Sequence, residues 1–316
     1  MALIKNFSPR ALGITGRQSE LLELALTYAF NGVDIDMDDM YRRSLREDGS
    51  DATKYLRSAK KAYEVKGKPI HWGLFDTVMN LDADEDSFTA SVGGLNPVAD
   101  LAKQIGLKAA YVDVPAASDR LPYNEYFEAQ KNRINQIADV LSPRGIRLGL
   151  RLQAGKDVYE GKQFEFVRDV AGIKALVESL PDTVGYIVDT WDWAVSGSTL
   201  DDIKALPIDR IVSVRMSGFP ADVDPSRAVT TDRVLPTEEG PIDHVALLKH
   251  LASSKYERTV TPSASSSQYR GETRESIVKE AQVKIDTLFE AAGLPVAPLP
   301  MDLIEEVAED AGTSLV

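Results

Sequence analysis

Ile146-Arg147-Leu148-Gly149-Leu150-Arg151-Leu152-Gln153 is an unbroken alternation of apolar and polar positions. A period of two predicts a β-strand whose two faces meet different surroundings. The even-numbered residues are all aliphatic and predict a face that packs against helices. The odd-numbered residues, which include Arg151 and Gln153, predict a face that is turned the other way. Pro143 and Gly145 lie just before this strand and end the helix that precedes it.

Short strand-like runs recur along the whole chain and alternate with amphipathic stretches. The predicted strands are Ala11–Thr15, Gly32–Asp36, Pro69–Phe75, Lys108–Val114, Ile146–Gln153, Val184–Asp189, Arg210–Ser217 and Arg258–Ser263. The predicted helices include Ser19–Phe30, Tyr123–Leu141, Phe164–Leu180, Ile242–Leu251 and Thr273–Ala292. Eight β/α alternations with short connections predict an α/β fold of parallel strands closed into a (β/α)8 barrel. The alternative, a doubly wound open sheet, would require a glycine-rich phosphate turn, and Gly13-Ile14-Thr15-Gly16 matches one only weakly.

The bulk properties limit the classes of function. The 316 residues are 43% hydrophobic and 27% charged, carry a net charge of −13 and include no cysteine. The acidic balance argues against nucleic acid and anionic membranes as partners. No signal-like or bilayer-spanning apolar segment is evident, so we expect a cytoplasmic protein. Without cysteine, any metal ion would need oxygen or nitrogen ligands.

One domain accounts for most of the chain. We predict a single barrel over residues 1–294, followed by an extension over 295–316. Prolines at positions 295, 298 and 300 interrupt this extension, and Met301–Ala311 predicts a short acidic amphipathic helix. The helix would dock on the barrel or on a second subunit, which leaves a homo-oligomer open.

The strand alternation also predicts which polar side chains face the barrel interior. In the seventh strand Ser213, Arg215 and Ser217 oppose Val212, Val214 and Met216. In the other strands the predicted inward residues are Asp34, Asp36, His71, Tyr111, Asp113, Asp189 and either Thr261 or Ser263. Residues late in each strand lie at the carboxyl-terminal mouth, where barrels of this type carry their sites.

Several segments, taken in order, resemble one known group of barrels. Gly32-Val33-Asp34-Ile35, Ser142–Leu150 and Val184–Trp191 resemble its second, fifth and sixth strand regions. Arg233-Val234-Leu235-Pro236 and Gly240-Pro241-Ile242-Asp243 resemble its loop after the seventh strand. The chain, from Leu12 to Ala292, therefore resembles the xylose isomerase-like sugar phosphate isomerases and epimerases.

This resemblance implies a divalent metal site at the mouth. Members of the group hold the ion with a Glu on the fifth strand, an Asp on the sixth, a His or similar residue on the seventh and a Glu on the eighth. The matching positions here are Arg151, Asp189, Arg215 and Ser263, and Asp192 stands where the group has a substrate-facing His. Guanidinium groups stay protonated and donate only, so we expect no metal ion and no other cofactor. We expect Asp189 to pair with Arg151, Arg215 or both.

Two interpretations of this mouth remain open. In the first, Arg151, Asp189 and Arg215 form an internal ion-pair plug. In the second, the arginines bind a carboxylate or phosphate, and Asp192, Asp113 or His71 moves protons. Other residues available to such a ligand are Trp191, which would stack on a sugar face, Arg233, which would reach an oxyanion, and the inward or late-strand side chains of Gln153 and Ser263.

Three hypotheses of function follow. The first is a divergent family member that binds a sugar-like or anionic small molecule, either without turnover or with metal-free acid–base chemistry. The second is an active sugar isomerase, epimerase or lyase whose metal ligands have moved to residues such as Asp36, His71, Asp113 and Asp192. The third is an assembly or regulatory role in which the tail helix matters and the mouth does not.

Overall fold

The computed structural model describes residues 3–45 and 53–300. Its strands are β1 Ile4–Phe7, β2 Gly32–Val33, β3 His71–Trp72, β4 Leu74–Asp76, β5 Ala109–Asp113, β6 Ala117–Ser118, β7 Arg147–Arg151, β8 Phe164–Glu165, β9 Val184–Asp189, β10 Ile211–Met216 and β11 Thr259–Pro262. Its helices are α1 Gln18–Thr27, α2 Met37–Ser44, α3 Lys54–Val65, α4 Glu85–Ile105, α5 Tyr123–Leu141, α6 Lys156–Tyr159, α7 Val170–Glu178, α8 Thr190–Val195, α9 Leu200–Lys204, α10 His244–Ser253 and α11 Arg274–Ala291.

The main sheet of the described residues is a ring of parallel strands. Its order is β3-β2-β1-β11-β10-β9-β7-β5-β4. β3 and β4 are separated only by Gly73, so they are two halves of one segment, and the chain itself closes the ring at eight strand positions. The predicted (β/α)8 barrel is therefore confirmed. β6 and β8 form a small antiparallel ribbon outside the ring.

The first predicted strand is wrong. Residues 10–12 form a 3-10 turn that ends at Gly13 with φ +68°, and the true first strand is Ile4–Phe7. The sequence pattern concealed this strand because two of its polar residues are buried. Lys5 Nζ donates to Asp286 Oδ1 at 2.7 Å, and the Asn6 amide donates to Asp34 and Thr261. These partners lie on other elements of the fold. Polar residues therefore occupy buried positions of this strand, and its sequence lacks the alternation of apolar and polar residues that predicts a strand.

Two further expectations are corrected in the barrel wall. The predicted helix Phe164–Leu180 begins only at Val170, and Phe164 and Glu165 belong to β8. In β10 the pairing register shifts between Ile211 and Ser213, and Val212 belongs to the buried group inside the ring instead of the helix-facing side. The irregularity interrupts the strict alternation on which the phase prediction depends.

A small apolar plug fills the middle of the barrel below the mouth. We call it the inner cluster; it consists of Leu74, Tyr111, Ile187 and Val212. Gly149 faces it, as predicted, because a Cβ on Gly149 would lie 2.3 Å from Ile187 Cδ1. The larger apolar core lies between the strands and the surrounding helices. Among the described residues no helix is both long and apolar enough to cross a membrane.

The predicted division at residue 294 stays a prediction. α11 ends at Ala291, and most of residues 292–300 are irregular. The predicted acidic helix Met301–Ala311 lies outside the described residues.

Candidate functional site

A cavity of about 430 Å³ opens at the carboxyl-terminal mouth, on the side of β1, β2, β4 and β5. The residues that line its inner part include Ser8, Asp34, Leu74, Asp76 and Tyr111. Each belongs to a strand or follows one closely, which is why the parallel ring gathers them at one end. A volume of this size is in the range of small-molecule sites.

Arg215 packs against Tyr111 in the wall of this cavity and is buried. Its side chain comes from β10, is 3% exposed, and carries its guanidinium carbon 4.3 Å from the centroid of the Tyr111 ring. Within residues 3–45 and 53–300 this guanidinium makes no hydrogen bond or ion pair, and its buried Nε has no partner. A buried guanidinium is ordinarily paired, because removing a charge from water is costly. Arg215 is therefore the unusual group of the mouth.

Arg151 and Asp113 form a closed pair at the ends of β7 and β5. Arg151 Nε and Nη2 donate to the two carboxylate oxygens of Asp113 at 2.6 and 2.7 Å. Burial by itself would raise the pKa of Asp113, but the charge and hydrogen bonds of Arg151 hold this pKa below its usual value. Asp113 is thus kept ionised and is a poor proton acceptor in this arrangement.

Arg233 bridges two buried carboxylates. Its Nη1 donates to Asp189 at the end of β9, and its Nη2 donates to Asp192 in α8 at 2.8 Å. Asp189 also caps α8 by accepting from the backbone N–H of Trp191 at 3.2 Å. Asp192 accepts from the backbone N–H of Ala154 at 3.0 Å. Burial raises the pKa of Asp192, and the neighbouring charge of Asp189 adds to this effect, while Arg233 opposes it.

The expected partners of Asp189 are wrong. The structure pairs Asp189 with Arg233, whereas Arg151 is bound to Asp113 and Arg215 lies over Tyr111. The loop after β10 delivers Arg233 from outside the strand, which strand-phase reasoning does not follow. The ion-pair plug drawn from Arg151, Asp189 and Arg215 is thus absent from the described residues.

Two other predicted residues are already engaged. The Trp191 ring is fully buried, stacks on Phe219 with centroids 5.6 Å apart, and has the guanidinium carbon of Arg233 4.7 Å from its centroid. It is therefore not exposed to stack on a sugar. The Ser263 hydroxyl is buried and donates to the carbonyl oxygen of Ala11 at 3.3 Å.

The remaining predicted residues do not converge on one site. Gln153 and Asp113 line a separate crevice of about 340 Å³. His71 begins β3, on the opposite end of the barrel from the mouth, and burial together with the charge of Lys60 lowers its pKa. Asp36 lines the cavity but is exposed, and its side chain caps α2. The structure thus brings Asp189, Asp192 and Arg233 together, and separates them from His71.

Asp34 is the residue whose importance the sequence did not reveal. Its Oδ1 accepts from the Asn6 amide at 2.9 Å and from the backbone N–H of Leu74 at 2.7 Å, and the side chain lines the cavity. Burial raises the pKa of Asp34, while the charge of Arg215 opposes the change. A signal was present in the predicted inward phase of Asp34, but nothing in the sequence joined it to Arg215.

The rim of the cavity carries arginines that have acidic partners. Arg10 lies 3.1 Å from Asp76, and Arg43 lies 2.6 Å from Asp39. Tyr111 donates its hydroxyl to Asp76 at 2.9 Å. In the part of the chain that the structure describes, no group of three or more His, Asp or Glu residues is placed to hold a metal ion.

Comparison with known proteins agrees with this architecture. The family model described as a xylose isomerase-like TIM barrel matches residues 22–285. The chain therefore belongs to the xylose isomerase-like TIM barrel family. Comparison with curated protein sequences gives no match.

Solved structures share the fold at low sequence identity. A xylose isomerase domain protein from Alicyclobacillus acidocaldarius is 23% identical, with a TM-score of 0.76 over 92% of this chain and 100% of that one. A D-tagatose 3-epimerase-like protein is 14% identical, with a TM-score of 0.65 over 92% and 98%. An L-ribulose 3-epimerase is 14% identical, with a TM-score of 0.59 over 100% of both chains. At these identities the likeness establishes the fold, and chemistry must be argued from the mouth itself.

Proposed function

We propose that this barrel binds a small, anionic, sugar-like molecule at its carboxyl-terminal mouth, without the divalent ion that its family typically uses. The observation that carries the proposal is Arg215, a buried guanidinium that packs on Tyr111 in the wall of a ligand-sized cavity and has no hydrogen-bonded anion among the described residues. An anion would complete its charge and its hydrogen bonds. The family membership supports a sugar-like body for the ligand.

The residues at the inherited ligand positions do not fit a divalent cation. Arg151 and Arg215 have no lone pair to offer a metal ion, and both carry positive charge. Asp189, the one matching carboxylate, already binds Arg233. At an effective dielectric near 20, a positive charge within about 4 Å of a cation costs on the order of 4 kcal/mol per unit charge. The mouth favours an anion over a cation.

Binding is the role that this geometry supports. Asp113 is held ionised by Arg151, and Asp192 is bonded to Arg233, so neither is free to exchange a proton with a ligand in this arrangement. The competing hypothesis of relocated metal ligands needs Asp36, His71, Asp113 and Asp192 to converge. Asp36 caps α2, and His71 begins β3 at the opposite end of the barrel. Asp113 and Asp192 belong to two different ion pairs.

Two measurements on the purified protein test this proposal. Dialysis against Mn²⁺ followed by elemental analysis should leave far less than one ion per chain. Calorimetric titration with D-gluconate, inorganic phosphate and D-glucose should show binding of at least one of the anions and weaker binding of the neutral sugar. One Mn²⁺ per chain that survives washing would overturn the metal-free part of the proposal. Equal or absent binding of all three probes would overturn the anion site.

A further inference from the structure

Most charged side chains around the cavity are paired with a charge of opposite sign. Four carboxylates line it, on Asp34, Asp36, Asp39 and Asp76, and the arginines at its rim include Arg10, Arg42 and Arg43. Each of these three rim arginines lies within ion-pair distance of an aspartate: Arg10 of Asp76, Arg42 of Asp38 and Arg43 of Asp39. Among the described groups around the cavity, this leaves Arg215 as the cation without a hydrogen-bonded anion.

The floor of the cavity also offers an acceptor for hydroxyl groups. The Asn6 amide and the Leu74 backbone both donate to Oδ1 of Asp34, so Oδ2 is the oxygen left for the nearby Ser8 hydroxyl and for a ligand. Gly73 makes this arrangement possible, because a Cβ there would lie 2.2 Å from Asp34 Oδ1 and 2.5 Å from Asn6 Oδ1. Asn6 Oδ1 is itself buried without a hydrogen-bond partner among the described residues. The carboxylate of Asp34 is thus held in place by its surroundings.

We infer that the ligand is a monocarboxylate with several hydroxyl groups, a sugar acid, whose carboxylate binds Arg215 and whose hydroxyls donate to Asp34. This inference rests on the proposed function and specifies its ligand. A planar carboxylate accepts two parallel hydrogen bonds from one guanidinium. A phosphate dianion brings more negative charge than one guanidinium balances, and it would lie among the aspartates of the cavity. A neutral sugar would leave Arg215 without a hydrogen-bonded anion.

Four probes separate the components of this inference: D-gluconate, D-sorbitol, hexanoate and inorganic phosphate. D-Sorbitol has the hydroxyls of gluconate without the carboxylate, and hexanoate has the carboxylate without the hydroxyls. In calorimetric titrations of the full chain, we expect D-gluconate to bind at least about 10-fold more tightly than each of the other three, as the loss of one charge-assisted hydrogen bond allows. Tighter binding of phosphate, or hexanoate binding as tightly as gluconate, would overturn the inference.

Variants then assign the two ends of the ligand. Arg215→Met should weaken D-gluconate binding by about 30-fold or more, and Asp34→Asn should weaken gluconate but leave hexanoate within about twofold. Arg227→Met is the matched control, since Arg227 is exposed on the loop after β10. Circular dichroism checks folding. If Arg215→Met does not fold, Arg215→Lys keeps the charge and removes the planar fork, and it should weaken gluconate more than phosphate.

The outcomes distinguish the inference from the proposed function. If the unmodified protein binds none of the anions, both the proposed function and the inference are contradicted. Anion binding that depends on Arg215 but shows no preference for gluconate supports the anion site and contradicts the sugar acid. Gluconate binding that is unchanged in both Arg215 variants and in Asp34→Asn places the ligand elsewhere and contradicts the inference.

Discussion

The guanidinium of Arg233 donates a hydrogen bond to Asp189, a residue 44 positions earlier in the chain that ends strand β9. Both side chains are buried, and the same guanidinium also binds Asp192. One cation therefore compensates two carboxylates that have little contact with water. The contact also fixes the loop after β10 to the start of α8, since Asp189 and Asp192 flank the first turn of that helix.

We expect Arg233→Met to destabilise the protein by about 3–5 kcal/mol. Removing one partner of a buried ion pair leaves the other charge without compensation, and here two carboxylates lose the same partner. Urea unfolding at neutral pH measures the loss. Arg227→Met, an exposed arginine of the same loop, should change the free energy of unfolding by less than about 0.5 kcal/mol.

A second set of variants separates charge from packing at this contact. Asp189→Asn with Asp192→Asn removes both negative charges but keeps the shape of the side chains. Combined with Arg233→Met, these changes should recover part of the lost stability, because no buried charge remains. A triple variant less stable than Arg233→Met alone would show that the ion pairs are not the source of the effect.

The pH dependence of stability should reveal the raised pKa of Asp34. Burial raises this pKa in the folded protein, so the folded state holds the proton more tightly than the unfolded chain, whose Asp titrates at about 3.9. The stability contributed by this proton is fully present below the unfolded pKa and is lost as pH rises through the folded pKa. The Asp34→Asn variant has no titrating group at this position, and its amide keeps an oxygen acceptor for Asn6 and Leu74.

As pH rises from about 4, the unmodified protein should therefore lose unfolding free energy relative to Asp34→Asn. Urea unfolding at a series of pH values measures it. Asp84→Asn is a control of opposite sign, because Asp84 caps α4 and its hydrogen bonds with Ser87 lower its pKa. A difference that is constant with pH for Asp34→Asn would contradict the burial effect.

The sequence predicted the wall of the barrel well where the two faces of a strand differ in chemistry. β7 is the clear case, because its aliphatic residues face helices while Gly149 and Arg151 face inward. β1 was missed because its buried Lys5 and Asn6 are satisfied by partners far along the chain. An alternation of apolar and polar residues predicts the buried face of a strand only when the buried residues are apolar.

The sequence named the buried charged residues near the mouth but not the ion pairs that they form. Arg151, Asp113, Asp189, Asp192, Arg215 and Arg233 were all named from phase or resemblance. Their pairing depends on the path of the loop after β10, which brings Arg233 to Asp189 and so leaves Arg215 without that partner. An arginine side chain is long enough to reach carboxylates on either side of its strand. The inward or outward phase of the strand therefore does not predict which carboxylate it binds. The role of Asp34 beside Arg215 could not be found for the same reason.

Two glycines of neighbouring strands should respond differently to a methyl group. A Cβ on Gly185 would lie 2.0 Å from the backbone carbonyl oxygen of Arg210, whereas a Cβ on Gly149 would meet the tip of Ile187 at 2.3 Å. A side-chain tip can move, but the backbone of Arg210 is held by the strand β10 that begins at the next residue. We expect Gly149→Ala to cost about 1–3 kcal/mol, and Gly185→Ala to cost more.

Replacement of the contacting side chain tests this explanation. Ile187→Val removes Cδ1, the atom nearest to the added methyl group, and keeps Cγ1, so it should recover part of the stability in the Gly149→Ala background and none in the Gly185→Ala background. Thermal unfolding of the single and double variants measures the coupling. Equal recovery in both backgrounds would mean that the close approach to Ile187 is not what constrains Gly149.

We expect Arg151→Glu to give the mouth an affinity for divalent ions. The change removes the guanidinium that binds Asp113 and places a second carboxylate beside it, with Asp192 also within electrostatic range of position 151. Repulsion between these acids lowers stability, and a cation with oxygen ligands would relieve it. Mn²⁺ at about 100 times its dissociation constant would then stabilise the variant by roughly 2.7 kcal/mol. Thermal unfolding with and without Mn²⁺ measures this shift.

Lys108→Glu makes the same change of charge at an exposed position just before β5 and is the control for non-specific attraction of Mn²⁺. The unmodified protein and Lys108→Glu should show no comparable increase in unfolding temperature. If Mn²⁺ stabilises all three proteins equally, the ion binds elsewhere and Arg151 is not what excludes it. If it stabilises only Arg151→Glu, a single guanidinium at the end of β7 accounts for much of the difference between this mouth and a metal-binding one.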